Sequence, residues 1–142
     1  MKFTISWLKE HLDTQKSDQE LIDSLTNIGL EVEDVVNASE IFSNFIVAQV
    51  VEEKKHPNAD KLKVCRVDIG SDIVDVVCGA PNVEKNMKVV YAPPGSTIPS
   101  TQMKLKASKI RGVESLGMMC SEFELGISDD HDGIIKLDDS VK

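Results

Sequence analysis

The 142-residue chain predicts a mainly β protein, a small barrel or sandwich of five or six short strands behind a small α/β piece. Three observations carry that reading. From residue 44 onward, short branched-aliphatic runs recur between turn-forming residues. Before that point the apolar residues follow a helical period. Aromatic residues make up only 4% of the chain, so branched aliphatics must fill the core.

Residues 3–6 predict a short strand and residues 6–12 a short helix, with Trp7, Leu8 and Leu12 as its apolar positions. Ser17-Asp18-Gln19-Glu20 is a capping box, a hydroxyl at the N-cap with a glutamate three residues on. Leu21, Ile22, Leu25 and Ile28 then follow at helical spacing. Gly29 stands where a left-handed C-terminal cap belongs, which predicts a helix over 18–28. Residues 30–35 alternate in polarity and predict a strand. A boundary near 37–43 divides a module of residues 1–40 from one of 41–142. The first module is too small to bury much of its own surface and is expected to pack on something outside itself.

In the second module, residues 45–52 predict a strand. His56-Pro57-Asn58-Ala59-Asp60 is turn chemistry, because proline fixes its own φ and biases its predecessor to extended geometry. Residues 62–69 and 73–78 predict two more strands, and Gly79-Ala80-Pro81-Asn82 breaks the latter, with one helical turn after it. Residues 88–91 predict a fourth strand, Pro93-Pro94-Gly95-Ser96 an irregular loop, and 105–110 a fifth strand. Residues 116–120 fit helix or strand equally by periodicity. Residues 121–126 suit a short helix ended by glycine, and 133–137 a last short strand.

The formal net charge is −8, from 16 Lys and Arg against 24 Asp and Glu. A uniformly acidic surface would exclude a non-specific nucleic-acid binder. The charge is not uniform. Residues 1–40 hold three lysines and nine acids, a net of −6, which leaves only −2 for the rest. Within the rest, residues 54–66 carry five basic residues and one acid, and residues 104–111 carry four basic residues and no acid. Lys61 and Lys63 lie on one predicted strand, and Lys104 and Lys106 share a face with Ser108 on another, followed by Lys109 and Arg111. Two readings follow: a cationic patch beside a barrel mouth, or solvated edge-strand lysines that discourage aggregation.

No nucleophile motif, phosphate-binding loop or dinucleotide fingerprint is present, so no catalytic residue is expected. Cys65, Cys78 and Cys120 are odd in number and form no C-x-x-C pair, and they read as reduced, small apolar residues. Asp129-Asp130-His131-Asp132-Gly133 has the look of a metal loop. Aligned on Gly133, however, a calcium loop would need Ser128 as its first ligand and Asp139 as its last. The first is the wrong residue type and the last is short by a methylene, so no metal site is expected. No stretch approaches the roughly 18 apolar residues of a membrane span, and the first residues lack the pattern of a signal peptide. A cytoplasmic protein without a membrane partner is expected.

Four ordered motifs resemble a known family. They are His56-Pro57-Asn58-Ala59-Asp60-Lys61-Leu62 with Cys65, Val67 and Gly70; Val77-Cys78-Gly79-Ala80-Pro81-Asn82; Pro94-Gly95-Ser96 with Ile98; and Lys109-Ile110-Arg111-Gly112-Val113 with Ser115, Gly117, Met118, Cys120, Ser121, Glu124, Leu125 and Gly126. Together they resemble the tRNA-binding domain family, which implies a five-stranded oligonucleotide-binding (OB) fold. The segments Met1-Lys2-Phe3-Thr4, Ser6-Trp7-Leu8-Lys9 and Asn27-Ile28-Gly29-Leu30-Glu31-Val32-Glu33 are further similar to the N-terminus of the bacterial phenylalanine–tRNA ligase β-subunit family. That resemblance implies an N-terminal fragment of an α2β2 enzyme that charges its tRNA with phenylalanine, using ATP and Mg2+. It implies that this part is non-catalytic, holds no cofactor, and has the α subunit, the remainder of the β subunit and tRNA as partners, with no DNA. The tRNA-contact residues carried over are Lys61, Lys63, Lys104, Lys106, Lys109 and Arg111, acting weakly on phosphates, with Ser115 and Met118. The alternative is a stand-alone tRNA-binding or chaperone-like OB-fold protein.

Overall fold

The computed structural model describes residues 1–142 as two compact units, Met1–Asn37 and Ala38–Lys142. In the first, α1 (Ile5–His11) starts at Thr4, whose hydroxyl accepts from the Trp7 N–H. Helix α2 (Asp18–Asn27) starts at the expected capping box: Ser17 Oγ accepts from the Glu20 N–H, and the Glu20 carboxylate accepts from the Ser17 N–H at 2.8 Å. The bonds from the Ser17 backbone and hydroxyl hold the Glu20 carboxyl below its usual range. Gly29 takes φ 93° just past the helix end. The strands expected at 3–6 and 30–35 are absent. Ladder groups need a partner strand, and this unit contains none; Val35 and Val36 stay exposed.

The second unit begins with α3 (Ala38–Ile41) and continues through β1 (Ile46–His56), β2 (Ala59–Asp68), β3 (Ile73–Cys78), β4 (Lys88–Ala92), β5 (Ser108–Ile110), β6 (Val113–Ser115), β7 (Met118–Met119) and α4 (Glu122–Leu125). Five strands form one antiparallel sheet in the order β3-β2-β1-β4-β7, and β5 and β6 make a separate hairpin. Strand β1 serves twice. Its first residues, Ile46 to Gln49, pair with β4, while Gln49 to His56 pair with β2. Between Val50 and Glu52 the register slips, so Val51 is the extra residue of a bulge. A bulge bends the strand and adds twist, which lets a five-stranded sheet curl toward closure.

The sheet edges, β3 and the segment entering β7, meet without a regular ladder. Ser115 Oγ accepts from the Val77 N–H at 3.0 Å, and the Leu116 N–H donates to the Asp75 carbonyl at 2.9 Å. Gly117 then passes so close to β4 that a Cβ there would lie 2.4 Å from the Ala92 carbonyl. The Tyr91 hydroxyl, buried at that spot, donates to the Leu116 carbonyl at 2.7 Å. These contacts make the expected barrel.

The tail is held by side chains where strands were expected. The Asn82 amide donates to the Ile134 carbonyl at 2.8 Å and accepts from the Ile134 N–H at 3.0 Å, mimicking a neighbouring strand. A single bridge, Lys88 to Leu137, replaces the last predicted strand. No helical turn follows Asn82. The ambiguous 116–120 stretch resolves as β7, and α4 is a capping-box turn from Ser121 and Glu124, closed by left-handed Gly126. Val50, Val67, Val76, Val89 and Tyr91 fill the barrel, and Ala92, Ile98, Cys120 and Leu125 form a second cluster. All three cysteines are buried. Burial pushes the Cys65 and Cys120 thiols up to about 12 and raises that of Cys78.

Replacing Gly117 with Ala adds a Cβ against backbone at φ 88°, a loss of roughly 3 kcal/mol or more from combined strain and overpacking. Tyr91→Phe leaves the Leu116 carbonyl unpaired, a loss of about 1–3 kcal/mol. Urea denaturation followed by circular dichroism measures both, and an unchanged midpoint for Gly117→Ala contradicts the seam described above. Because folding raises the thiol pKa values, their contribution to stability is complete below the unfolded value of 9.0 and falls away as pH rises toward about 12. Denaturation midpoints should therefore drop over that window, and less so in a Cys65→Ala, Cys120→Ala double variant.

Candidate nucleic-acid interface

The two basic segments meet at a clasp built from the β1–β2 turn. Hairpin β5–β6 has a two-residue loop, Arg111-Gly112, flanked by the paired Ile110 and Val113. Arg111 has φ 48° and Gly112 φ 90°. Positive φ at both central residues marks a type I′ turn, whose twist suits a hairpin. Arginine is an unusual occupant of that first position. Its carbonyl is held by the Asn58 amide, Nδ2 donating at 3.0 Å.

His56 completes the clasp. It is 4% exposed, buried at the end of β1. Its Nδ1 accepts from the Asn58 N–H at 3.0 Å, so the neutral ring carries its proton on Nε2. That Nε2–H donates to the Ile110 carbonyl at 2.9 Å. One imidazole thus shapes its own turn and fixes the start of the hairpin loop. Pro57 aids by presetting its own φ in the turn.

The clasp gathers Lys55 and Lys61 from the two arms of the first hairpin with Lys109 and Arg111 from the second. All four are exposed, and no carboxylate pairs with them. Asp60 and Glu114 are the acids among these residues, Glu114 standing opposite Lys109. By contrast, Lys54 is paired with Glu52 at 2.8 Å, a bond that holds the Glu52 carboxyl below its usual range.

Several predicted contact residues sit differently. Lys63 is half-buried and doubly engaged, donating to Glu53 at 2.6 Å and to the Val83 carbonyl at 2.8 Å. Its role here is to brace the barrel wall. Ser115 is 2% exposed and its hydroxyl is committed to the seam, so it presents nothing to a ligand. Met118 is partly buried against the second core cluster. Lys104 and Lys106 are exposed, but the strand expected at 105–110 is broken. The Leu105 backbone bonds to Gly95 and Ser96 at 2.8 Å each, so these lysines ride on the arm of the 93–98 loop, and regular pairing begins only at Ser108. The face expected for Lys104, Lys106 and Ser108 does not form.

Two cavities adjoin the patch. A groove of about 430 Å³ is lined by Lys55, Asp60, Lys61 and Leu62 and walled by Gly79, Ala80 and Pro81. A second cavity of about 290 Å³ shares Gly79, Ala80 and Pro81 with the first and is also lined by Met118, Glu124, His131 and Asp132. No three His, Cys, Asp or Glu side chains come together to hold a metal ion.

The family model described as "Putative tRNA binding domain" matches residues 45–142. The chain is 54% identical over 137 residues to the phenylalanine–tRNA ligase β subunit of Rhodospirillum rubrum, a match covering 96% of this chain and 17% of that protein. It is 53% identical over 144 residues to the same subunit of Nitrobacter winogradskyi, covering 96% of this chain and 18% of that protein. This chain therefore spans under a fifth of these relatives' length. A solved structure, the MetRS-related protein from Pyrococcus horikoshii, superposes with a TM-score of 0.52 at 21% identity, over 76% of this chain and 93% of that one. That likeness supports the OB-type barrel.

Removing the clasp should loosen the hairpin before the barrel. His56→Ala strands the half-buried Ile110 carbonyl, a cost of about 1 kcal/mol or more, and removes the Asn58 N–H's partner. Hydrogen–deuterium exchange should accelerate over residues 108–115 in His56→Ala and Asn58→Ala while β1, β2 and β4 stay protected. Equal protection of the hairpin in wild type and both variants contradicts the clasp.

Proposed function

This chain belongs to the tRNA-binding domain family over residues 45–142, and from its clasped basic patch we propose that it binds tRNA through phosphates, as an auxiliary part of a phenylalanine–tRNA ligase β subunit. The observation that carries the reading is the convergence of Lys55, Lys61, Lys109 and Arg111, all without carboxylate partners, on the His56–Asn58 clasp. Lysine and arginine neutralise phosphates and release counterions, which supplies affinity without reading sequence. Lys104 and Lys106 extend the same charge from the neighbouring arm.

In this reading the enzyme is an α2β2 ligase of the cytoplasm, with the α subunit and the remainder of the β subunit as partners. Aminoacylation with ATP and Mg2+ takes place outside these residues. The unit Met1–Asn37 serves as a docking piece for the rest of the subunit. Its support is an exposed aromatic row on α1, where Trp7 is 54% exposed, 6.5 Å from Phe3 and 5.3 Å from His11 by ring centroids.

Titration of fluorescent tRNA(Phe) against salt tests the binding role. Four phosphate contacts give a slope of log K on log [salt] of about −3. Lys61→Ala and Arg111→Ala should each reduce that slope by about 1, while Lys136→Ala, whose lysine pairs with Glu84, leaves it unchanged. No binding at roughly 100 µM protein in low salt, the weak end for non-specific contacts, overturns the reading.

A further inference from the structure

We propose that the cavity lined by Met118, Glu124, His131 and Asp132 takes one unpaired guanine, with the phosphate of the same nucleotide on Lys55 and Lys61 in the adjoining groove. This rests on the tRNA-binding reading and gives it a base-level contact. The two cavities share the wall Gly79-Ala80-Pro81. The first is net cationic: it carries Lys55, Lys61 and Lys63 against one acid, Asp60. The second is acidic, through Glu124 and Asp132. A nucleotide laid across the wall meets both demands, its phosphate against the lysines and its base in the second cavity. The reverse orientation would set phosphate against two carboxylates.

The second cavity is furnished for a base. Ala80, Pro81 and Met118 supply apolar surface, and the polarisable thioether of methionine makes favourable contact with aromatic rings. The His131 ring offers a stacking face, as histidine does at RNA sites. Its orientation is fixed by the Asp129 carbonyl, 3.0 Å from Nδ1, and by a tilted contact with Phe123 at 6.1 Å between centroids.

The acceptors select the base. Glu124 Oε2 is committed to the Ser121 N–H and hydroxyl in the capping box, which pins the carboxylate and leaves Oε1 available. The Asp132 carboxylate has no protein partner, because that residue bonds only through its backbone N–H. Carboxylates accept and do not donate. Guanine is the base whose pairing edge presents two adjacent N–H donors, and that edge is available only when the base is unpaired.

Heteronuclear NMR of the full chain, with 5′-GMP, 5′-UMP and inorganic phosphate as probes, tests the site. GMP should shift amides near Gly79, Ala80, His131 and Asp132 and bind about tenfold tighter than UMP, the discrimination of a good carboxylate–base contact. Phosphate alone should move only resonances around Lys55 and Lys61. Asp132→Asn and His131→Ala lie on an exposed loop, so the fold should persist while the GMP preference disappears. Equal shifts with GMP and UMP, or none, overturn the site. Run beside the tRNA titration, the two failures separate. Retained tRNA binding with no GMP preference removes only the guanine site. A GMP preference without tRNA binding removes the tRNA reading and leaves a guanine-nucleotide site.

Discussion

A curled sheet of five strands has two edges, and the fold depends on joining them. The joint is not a ladder. It consists of the Ser115 hydroxyl under the Val77 N–H, the Leu116 N–H on Asp75, and a glycine pressed beneath Tyr91. The Ser115 hydroxyl, the Leu116 N–H and the Tyr91 hydroxyl on the Leu116 carbonyl each satisfy a polar group that closure would otherwise bury unpaired, and the glycine lets the chain pass. Because the chain must pass through this joint at 115–117, the hairpin just before it is delivered to one place. The second basic segment is thereby brought within reach of the first turn. Closure and the cationic patch are consequences of one path.

Side-chain substitutes for backbone recur throughout. Asn82 imitates a strand for Ile134, His56 and Asn58 imitate one for Ile110 and Arg111, and Ser121 with Glu124 caps a single helical turn. A barrel this small has short strands, with β7 only two residues long, and little ladder to spare. Amide, imidazole and hydroxyl groups reach where no strand can. Most of these residues fall in the motifs that mark the family resemblance. Their chemistry there is architectural, and Lys61, Lys109 and Arg111 between them remain exposed and without acid partners.

This division explains what the sequence disclosed. Local chemistry was legible: the capping box at Ser17, the glycine stops at Gly29 and Gly126, and the β1–β2 turn follow from rules that act within a few residues. Long-range choices were not. Alternation at 30–35 read as a strand, but alternation states only that a strand could be half-buried, and no partner exists in that unit. The 105–110 run read as one strand, but Leu105 takes Gly95 and Ser96 as partners, and the lysines part company there. Lys63 looked like surface charge until the bulged register of β1 and β2 set it beside Glu53. The clasp had no local sign, since its docking onto His56 joins positions 54 residues apart.

Arg111 shows how site and fold bear on each other. A non-glycine residue in the left-handed region costs on the order of 1–3 kcal/mol, and glycine or asparagine would occupy the first position of this turn more comfortably. Neither carries a charge. The Asn58 amide on the Arg111 carbonyl offsets part of that cost, and the strained turn aims the guanidinium outward at the tip of a clasped hairpin. If the turn served closure alone, nothing in the seam would require arginine, since Ser115, Leu116 and Gly117 carry that task. In the proposed function, an arginine where the backbone disfavours it, beside lysines that have no acid partner, serves phosphate contact. A planar donor fork is also the best match to a phosphate's oxygens. In that proposal, the local strain at Arg111 and the charge of the patch share one cause.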